Sequence, residues 1–391
     1  MRQGRRPLAT FALAVWMAAS SAAAQTAPSI DARTWRPSTD PEATLALEPV
    51  ATPGPWQWNV GVWTYYAQDS VFLRDPATGD VTSRPVEHLV GADLVAGVGI
   101  GSRVAFGVDV PAFLWQNGTA SVPTSGLGDV ALSGKATIVS NDREGLRAGF
   151  GLAALGDVSL PTGDRSSFLG EGQVTATLRL LAEYGLGVAA LRASLGYAVR
   201  PASRPWPQAA AGGPTLGDAI PWAVGISLHP RAVARSVDAD DRQIWEIAAH
   251  GALPGGPVAP FGLSGSGSSL LSPVMLAIDD HVALGHSRDT YVVLGADIGL
   301  DDAFGVPLVC AVASFGWAPR PHDSDSDGVP DDVDECPDLP EDRDGIQDQD
   351  GCPEDDADGD GVLDAADRCP LVKGVPSADP KTNGCPAGDG K

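Results

Sequence analysis

Long hydrophobic runs are missing from most of this 391-residue chain. Beyond residue 24 no apolar stretch reaches roughly eighteen residues, the shortest length typical of a transmembrane helix. Any passage of residues 25–391 through a membrane would therefore require β-strands, which satisfy their backbone hydrogen bonds in lipid only when they close into a barrel.

Basic residues are also scarce, with 26 Lys and Arg against 50 Asp and Glu, for a net charge of −24. The imbalance is greatest in residues 321–391, where 5 basic and 22 acidic residues give −17. Such a chain is repelled by phosphate backbones, so the composition argues against nucleic acid and favours divalent cations as partners. The acidic tail is predicted to be a separate module.

Cysteine is limited to five residues, four of which follow residue 320. Cys336, Cys352, Cys369 and Cys385 allow three pairings, and two spacings of sixteen residues favour the bridges Cys336–Cys352 and Cys369–Cys385. Disulfides indicate an oxidising compartment outside the cytoplasm. Cys310 is left over and is predicted to be a buried thiol.

The first 24 residues have the three regions of a signal peptide. Arg2, Arg5 and Arg6 precede an apolar run from Leu8 to Ala19, and small residues follow at 21–24. We therefore expect residues 1–24 to be removed and the protein to be exported. Residues 25–55 form a Pro-rich segment before the next periodic pattern.

Apolar and polar residues alternate through residues 56–320. Phe106 and Val108, for example, alternate with Gly107 and Asp109. A period of two predicts strands with one apolar and one polar face. The apolar sets contain many Ala, Gly and Val residues, which favours a lipid-facing surface over the bulky interior of a sandwich.

The pattern predicts an all-β fold in which about twelve strands form an antiparallel up-and-down transmembrane barrel over residues 56–320. The predicted strands begin near Trp56, Val86, Arg103, Gly128, Leu146, Gln173, Val188, Ile220, Arg242, Leu270, Thr290 and Val306. Short and long connections alternate over the first eight strands, beginning with a long one from Gln68 to Pro85. The alternation weakens at residues 230–241 and 301–305.

The alternation also predicts where two further sets of side chains lie. Charged residues on the polar faces should point into the barrel, where they either close the lumen as a salt-bridge network or line a pore: Arg103, Asp109, Lys135, Arg147, Arg179, Glu183, Arg192 and Glu246. Aromatic residues near strand ends form either an interfacial girdle or ordinary strand packing: Trp56, Trp58, Tyr65, Tyr66, Trp115, Tyr184, Trp222, Phe315 and Trp317.

Four short phrases carry a family resemblance over residues 56–320: Gly126-Leu-Gly-Asp129, Leu160-Pro-Thr-Gly-Asp164, Phe168-Leu-Gly170 and Phe315-Gly-Trp-Ala-Pro319. With them the chain resembles the amino-terminal barrel of myxobacterial-type proteins in the outer membrane protein A family. The resemblance implies a membrane-embedded barrel with a periplasmic tail, and it implies no reaction.

The acidic tail, residues 321–391, contains repeated calcium-loop spacings. Carboxylates at loop positions 1, 3, 5, 9 and 12 and a carbonyl at position 7 supply the oxygen ligands that Ca²⁺ requires, and a glycine at position 6 allows the turn. The first loop offers Asp323, Asp325, Asp327, Val329, Asp331 and Asp334; the last offers Asp356, Asp358, Asp360, Val362, Asp364 and Asp367. A shortened middle loop offers Asp342, Asp344, Ile346 and Asp348 and lacks an acid at position 1.

A Cys-Pro pair follows each loop, at Cys336, Cys352 and Cys369. With this feature, residues 323–386 resemble thrombospondin type 3 repeats, which implies calcium binding in an irregular, disulfide-linked tail. Larger relatives continue into a peptidoglycan-binding domain after an Asn-Gly-Cys-Pro like that at residues 383–386, and that domain is not expected here. The protein or cell-wall partner of the tail is not predicted.

The sequence shows no His spacing suited to metal and no recognisable nucleophile motif, so we expect no enzyme. The leading hypothesis is a structural barrel protein of the outer membrane, with its calcium-binding tail in the periplasm and a role in envelope integrity or adhesion. One alternative is a soluble exported calcium-dependent adhesin with a β-sandwich body. Another is a barrel pore or barrel enzyme.

Overall fold

The computed structural model describes residues 31–33, 35–74, 78, 80–119, 123–140, 148–164, 167–201, 204–205, 215–230, 236–238, 242–254, 273–285, 287–301 and 306–319, and in the tail 329, 334–336, 338–341, 352–353, 356, 358–362 and 366–386. Among these residues, no helix has the length and hydropathy that a membrane span requires.

Twelve antiparallel strands form a closed barrel. They are β1 Trp58–Arg74, β2 Val81–Ile100, β3 Val104–Asn117, β4 Ala131–Val139, β5 Ala148–Ser159, β6 Thr175–Leu186, β7 Ala189–Val199, β8 Ala219–Leu228, β9 Gln243–Pro254, β10 Val274–Leu284, β11 Thr290–Gly299 and β12 Val309–Trp317. Each strand pairs with the next, and β1 also pairs with β12, so the sheet has no free edge. The predicted fold class and strand count are confirmed.

Each barrel strand has one outward and one inward face, and the apolar residues of the alternating pattern face outward as predicted. On β6, Leu178 and Tyr184 are exposed whereas Leu181 and Glu183 are buried. The alternation follows from the pleat, which sends successive side chains to opposite faces. The two faces therefore meet different surroundings.

Large apolar side chains are exposed on the outside of all twelve strands. Two representatives from each strand, in chain order, are Val62, Tyr66, Leu94, Ile100, Phe106, Leu114, Leu132, Ile138, Phe150, Val158, Leu178, Leu180, Leu191, Leu195, Val224, Ile226, Trp245, Ile247, Ile278, Leu284, Leu294, Ile298, Phe315 and Trp317. A continuous apolar exterior of this extent is the lipid-facing surface of a membrane-spanning barrel.

The two ends of the barrel differ in their connections. The short-turn end carries residues 101–103, 187–188 and 285–289, the start of β1 and the end of β12. The long-loop end carries residues 118–130, 160–174 and 200–218.

Two connections depart from the expected lengths. The long connection predicted from Gln68 to Pro85 is wrong: β1 and β2 extend past the other strands and are joined by residues 75–80 alone. At the short-turn end, residues 229–242 form a longer connection than its neighbours, where the sequence pattern also weakened.

Aromatic side chains cluster at both ends of the barrel, as a girdle would place them. At the short-turn end the rings of Trp58 and Trp317 lie 5.1 Å apart, edge to face. At the long-loop end His88 stacks between Tyr66 and Trp115, with ring centroids 6.0 and 6.2 Å apart. Rings at these heights suit the boundary between lipid tails and headgroups.

Candidate functional site: an occluded lumen and an acidic loop

The lumen of the barrel is occupied by the chain's own residues 31–33 and 35–55, in the segment 31–55 that we call the plug. The plug begins at the long-loop end, where Asp31 forms a β-bridge with Leu169. It ends at the short-turn end, where the Trp56 amide donates to the Gly99 carbonyl just before β1 begins. The sequence defined residues 25–55 only as a Pro-rich segment and did not predict this position.

The Arg33 guanidinium joins the plug to two neighbouring strands. Its side chain is 1% exposed and lies 2.8 Å from Asp31, 2.8 Å from Asp93 on β2 and 3.5 Å from Asp109 on β3. Its guanidinium carbon is also 5.8 Å from the centre of the Phe113 ring. Arg33 therefore supplies the positive charge that a cluster of buried carboxylates needs.

Lys135 on β4 forms a second ionic contact with the plug. Its ammonium group donates to the Asp40 carboxylate and to the Pro49 carbonyl, and it lies 3.9 Å from Glu48. Two residues further along β4, the Thr137 hydroxyl donates to the plug at a carbonyl oxygen 2.7 Å away. The inward, polar face of β4 thus holds the part of the plug that contains Asp40, Glu48 and Pro49.

On the opposite wall, two adjacent carboxylates accept hydrogen bonds from the plug. Glu246 on β9 and Asp279 on β10 are direct cross-strand partners and both are buried. Glu246 accepts from the Thr44 hydroxyl and from the Ala46 amide, and Asp279 accepts from the Leu45 amide. Like charges placed side by side in a closed lumen require such donors.

Apolar contacts complete the fit of the plug. The ring of Trp35 lies 5.4 Å from that of Trp63 and 6.2 Å from that of Tyr65, so Tyr65 faces inward and its predicted place in the girdle is wrong. A close approach elsewhere requires glycine, because a Cβ at Gly107 would lie 2.1 Å from the Thr39 hydroxyl oxygen. The plug and the wall are complementary in shape as well as charge.

The three loop phrases that carried the family resemblance meet at the long-loop end. The Asp129 carboxylate accepts hydrogen bonds from the amides of Gly163 and Glu171 at 2.8 and 2.7 Å. The Thr162 hydroxyl donates to the Gly128 carbonyl. Because Leu169 of the same loop pairs with Asp31, these phrases also hold the first residue of the plug.

Five of the eight predicted inward charges are buried in the lumen: Asp109, Lys135, Glu183, Arg192 and Glu246. Arg179 is half-buried and pairs with Asp157 at 3.2 Å. Arg103 is an exception, because it lies exposed in the turn between β2 and β3, and Arg147 lies outside the described residues. Of the two interpretations, the salt-bridge network is present, and the plug is part of it.

The two predicted disulfides of the tail, Cys336–Cys352 and Cys369–Cys385, are confirmed, and Cys310 is a free buried thiol. Both aspartates at position 12 make the same contact. The Cys336 amide donates to Asp334 at 2.7 Å, and the Cys369 amide donates to Asp367 at 2.6 Å. Each bridge is therefore tied directly to the end of the preceding loop.

The last loop brings together three of its predicted metal ligands. Carboxylate oxygens of Asp356, Asp358 and Asp360 all lie within 4.8 Å of one another. Gly361, at loop position 6, has a φ of 88°, which the turn requires and which L residues rarely adopt. Two effects raise the pKa of Asp358: partial burial, which is the larger, and repulsion from the Asp360 carboxylate.

Several carboxylate oxygens in the tail are buried without a hydrogen-bond donor. They include the second oxygens of Asp334, Asp358 and Asp367. Oxygens of this kind fit a hard cation, which accepts six to eight oxygen ligands at roughly 2.3–2.6 Å. Of the other predicted ligands, Val329 and Val362 are among the described residues, and Val362 is buried. Nine fall outside the described residues: Asp323, Asp325, Asp327, Asp331, Asp342, Asp344, Ile346, Asp348 and Asp364.

The closed sheet, its apolar exterior and its filled lumen define a membrane-spanning β-barrel protein closed by its own N-terminal segment. No family model and no curated protein matches the chain. Among solved structures, the chain is similar to an outer membrane channel from Pseudomonas putida F1, with 10% identity and a TM-score of 0.49 over 70% of this chain and 99% of that one.

The chain is also similar to the NanC porin, with 8% identity and a TM-score of 0.40 over 67% of this chain and 99% of that one. A monoaromatic hydrocarbon channel, TodX, gives 12% identity and a TM-score of 0.35 over 68% and 91%. Such values are too low to transfer any property of these channels. The assignment as a barrel rests on the closed hydrogen-bond ladder described above.

Proposed function

We propose that this protein is a non-enzymatic, structural β-barrel of the outer membrane that carries a calcium-binding tail into the periplasm. The observation that carries the proposal is the apolar exterior shared by all twelve strands, because a soluble protein would not expose such a surface. An even strand number places the start of β1 and the end of β12 on the same side of the membrane, as in bacterial single-chain barrels. A single closed sheet rules out the β-sandwich body of the soluble adhesin.

The strand ends support the proposed position of the tail. β12 ends at Trp317 at the short-turn end, which also carries the start of β1. In outer-membrane barrels the short turns face the periplasm and the longer loops face outward. This arrangement supports a tail that begins on the periplasmic side, where disulfides form and persist.

For the tail, we propose that the last loop binds Ca²⁺ through the carboxylates of Asp356, Asp358, Asp360 and Asp367 and the carbonyl of Val362. Short carboxylates on alternate residues and buried oxygens without donors support this assignment. The tail has few apolar residues for a core, so bound ions and the two disulfides would supply most of its order. An ordered tail would act as a spacer or docking arm beneath the membrane, in envelope integrity or adhesion.

Protease accessibility tests both the position of the tail and its use of calcium. Added protease should leave the tail uncut in intact cells and cut it once the outer membrane is permeabilised, because the membrane separates the two. In permeabilised cells, chelation should speed cleavage of the tail and leave the barrel intact, and restored Ca²⁺ should reverse the effect. Cleavage in intact cells would contradict the periplasmic position, and equal rates with and without Ca²⁺ would contradict the calcium sites.

A further inference from the structure

The barrel wall behind the plug is acidic. Six carboxylates are buried on the inward faces of the strands: Asp93, Asp109, Glu183, Glu246, Asp279 and Asp297. The buried Lys and Arg side chains described on the same faces are Lys135 and Arg192, and Arg192 is already paired with Glu183 at 2.8 Å. The wall alone therefore has an excess of negative charge in its described part.

Plug atoms contact four of these carboxylates, on opposite sides of the lumen. Arg33 lies between Asp93 and Asp109 on β2 and β3. The plug amides and the Thr44 hydroxyl reach Glu246 and Asp279 on β9 and β10. Without the plug, these four carboxylates would face one another across an open lumen.

The space occupied by the plug is large enough to be a channel. A barrel of eight strands is filled by its own side chains, and barrels of sixteen to eighteen strands leave an aqueous pore. This barrel of twelve strands accommodates residues 31–55 and still leaves a cavity of about 200 Å³ at the short-turn end, lined in part by Asp40, Glu42 and Glu183. Removing the plug would join that cavity to the long-loop end.

We propose that the barrel is a cation-selective channel that the plug closes. Carboxylates on opposite walls of a narrow aqueous path attract cations and repel anions, as acidic rings do in cation channels. The plug blocks the path, and its Arg33 and its hydrogen-bond donors engage the carboxylates that would select the ion. The proposal rests on the membrane-spanning barrel proposed above and adds a transport activity to it.

Planar bilayer recordings test this proposal on purified protein. A variant lacking residues 31–53 should conduct about tenfold more than the full chain, because the lumen is then filled with water. Its reversal potential in a KCl gradient should show a preference for K⁺ over Cl⁻. In that background, Asp93→Asn with Asp279→Asn should reduce the preference, whereas Asp80→Asn, exposed outside the lumen, should leave it unchanged.

A reversible lock on the full chain tests the plug without deletion. The hydroxyl oxygens of Thr39 and Ser133 lie 2.9 Å apart, so Thr39→Cys with Ser133→Cys, in a Cys310→Ser background, places two thiols together. Voltage-induced openings should disappear on oxidation and return on reduction. The Cys310→Ser variant alone, treated identically, controls for reduction of the tail disulfides and should not change.

Either experiment can overturn the proposal. A deletion variant that keeps heat-dependent gel mobility yet conducts no more than the full chain, or that prefers anions, would contradict it. If the deletion variant does not fold, the lock decides, and equal openings in the oxidised and reduced states would contradict a movable plug. Failure of the membrane proposal is distinguishable, because the full chain would then lack heat-dependent mobility.

Discussion

Replacing Arg33 by methionine is expected to lower the free energy of unfolding of the barrel by about 3 kcal/mol. The Arg33 side chain is 1% exposed and neutralises carboxylates on two strands and on the plug itself. Methionine fills a similar volume but leaves Asp93 and Asp109 buried without an ion-pair partner, whereas Asp31 keeps Arg36 at 3.7 Å. The cost of the two unpaired carboxylates is much larger than the value of an exposed ion pair. Urea titration in detergent micelles, followed by tryptophan fluorescence, measures the change.

A matched control for this substitution is Arg84→Met. Arg84 pairs with Asp69 at 2.9 Å, but its side chain is 43% exposed, so its loss should cost less than about 1 kcal/mol. Arg33→Lys keeps the charge and loses the forked geometry, and it should fall between the two. Equal effects of Arg33→Met and Arg84→Met would show that the plug does not stabilise the barrel.

Asp358→Asn should weaken calcium binding at the last loop by roughly tenfold or more, because affinity depends on the number of ligand charges. One Asp358 oxygen accepts from the Asp360 amide, and the other is buried without a donor next to the oxygens of Asp356 and Asp360. Asparagine preserves the shape of the side chain and removes its charge. Calorimetric titration of the full chain with Ca²⁺ after chelation would report the weaker binding at this loop.

The control for Asp358 is Asp338→Asn, which removes one charge from an exposed residue outside the loop positions. It should leave the number of bound ions and their affinities unchanged. If the two variants bind Ca²⁺ alike, the loop is a solvated acidic turn and the metal assignment is wrong.

The barrel was predictable from the sequence because its signal is local. Alternation along each strand fixes which side chains face lipid, and Leu178, Leu180 and Tyr184 on β6 follow that rule directly. The disulfides were predictable for a similar reason, since each joins residues sixteen positions apart. The length of the β1–β2 connection was not, because β1 and β2 continue their pairing through register shifts beyond Gln68.

The plug could not be predicted from the same signal, because its contacts are distant in sequence and it has no period of its own. Arg33 meets Asp93 sixty residues away, and Thr44 meets Glu246 across 202 residues. Only barrel closure brings those partners to the same height in the lumen. A weak signal was present in the sequence. The segment before the first strand contains a Trp and several charged residues, and such charged residues can pair with inward charges on the strands.

Gel mobility of the protein from isolated outer membranes, with and without boiling, is the most direct test of the central claim. A closed barrel resists unfolding by detergent at room temperature, so the unboiled protein should migrate differently from the boiled protein. We expect the chain in the outer-membrane fraction with this heat-dependent shift. Recovery in the soluble fraction with identical mobility before and after boiling would contradict a membrane-spanning barrel.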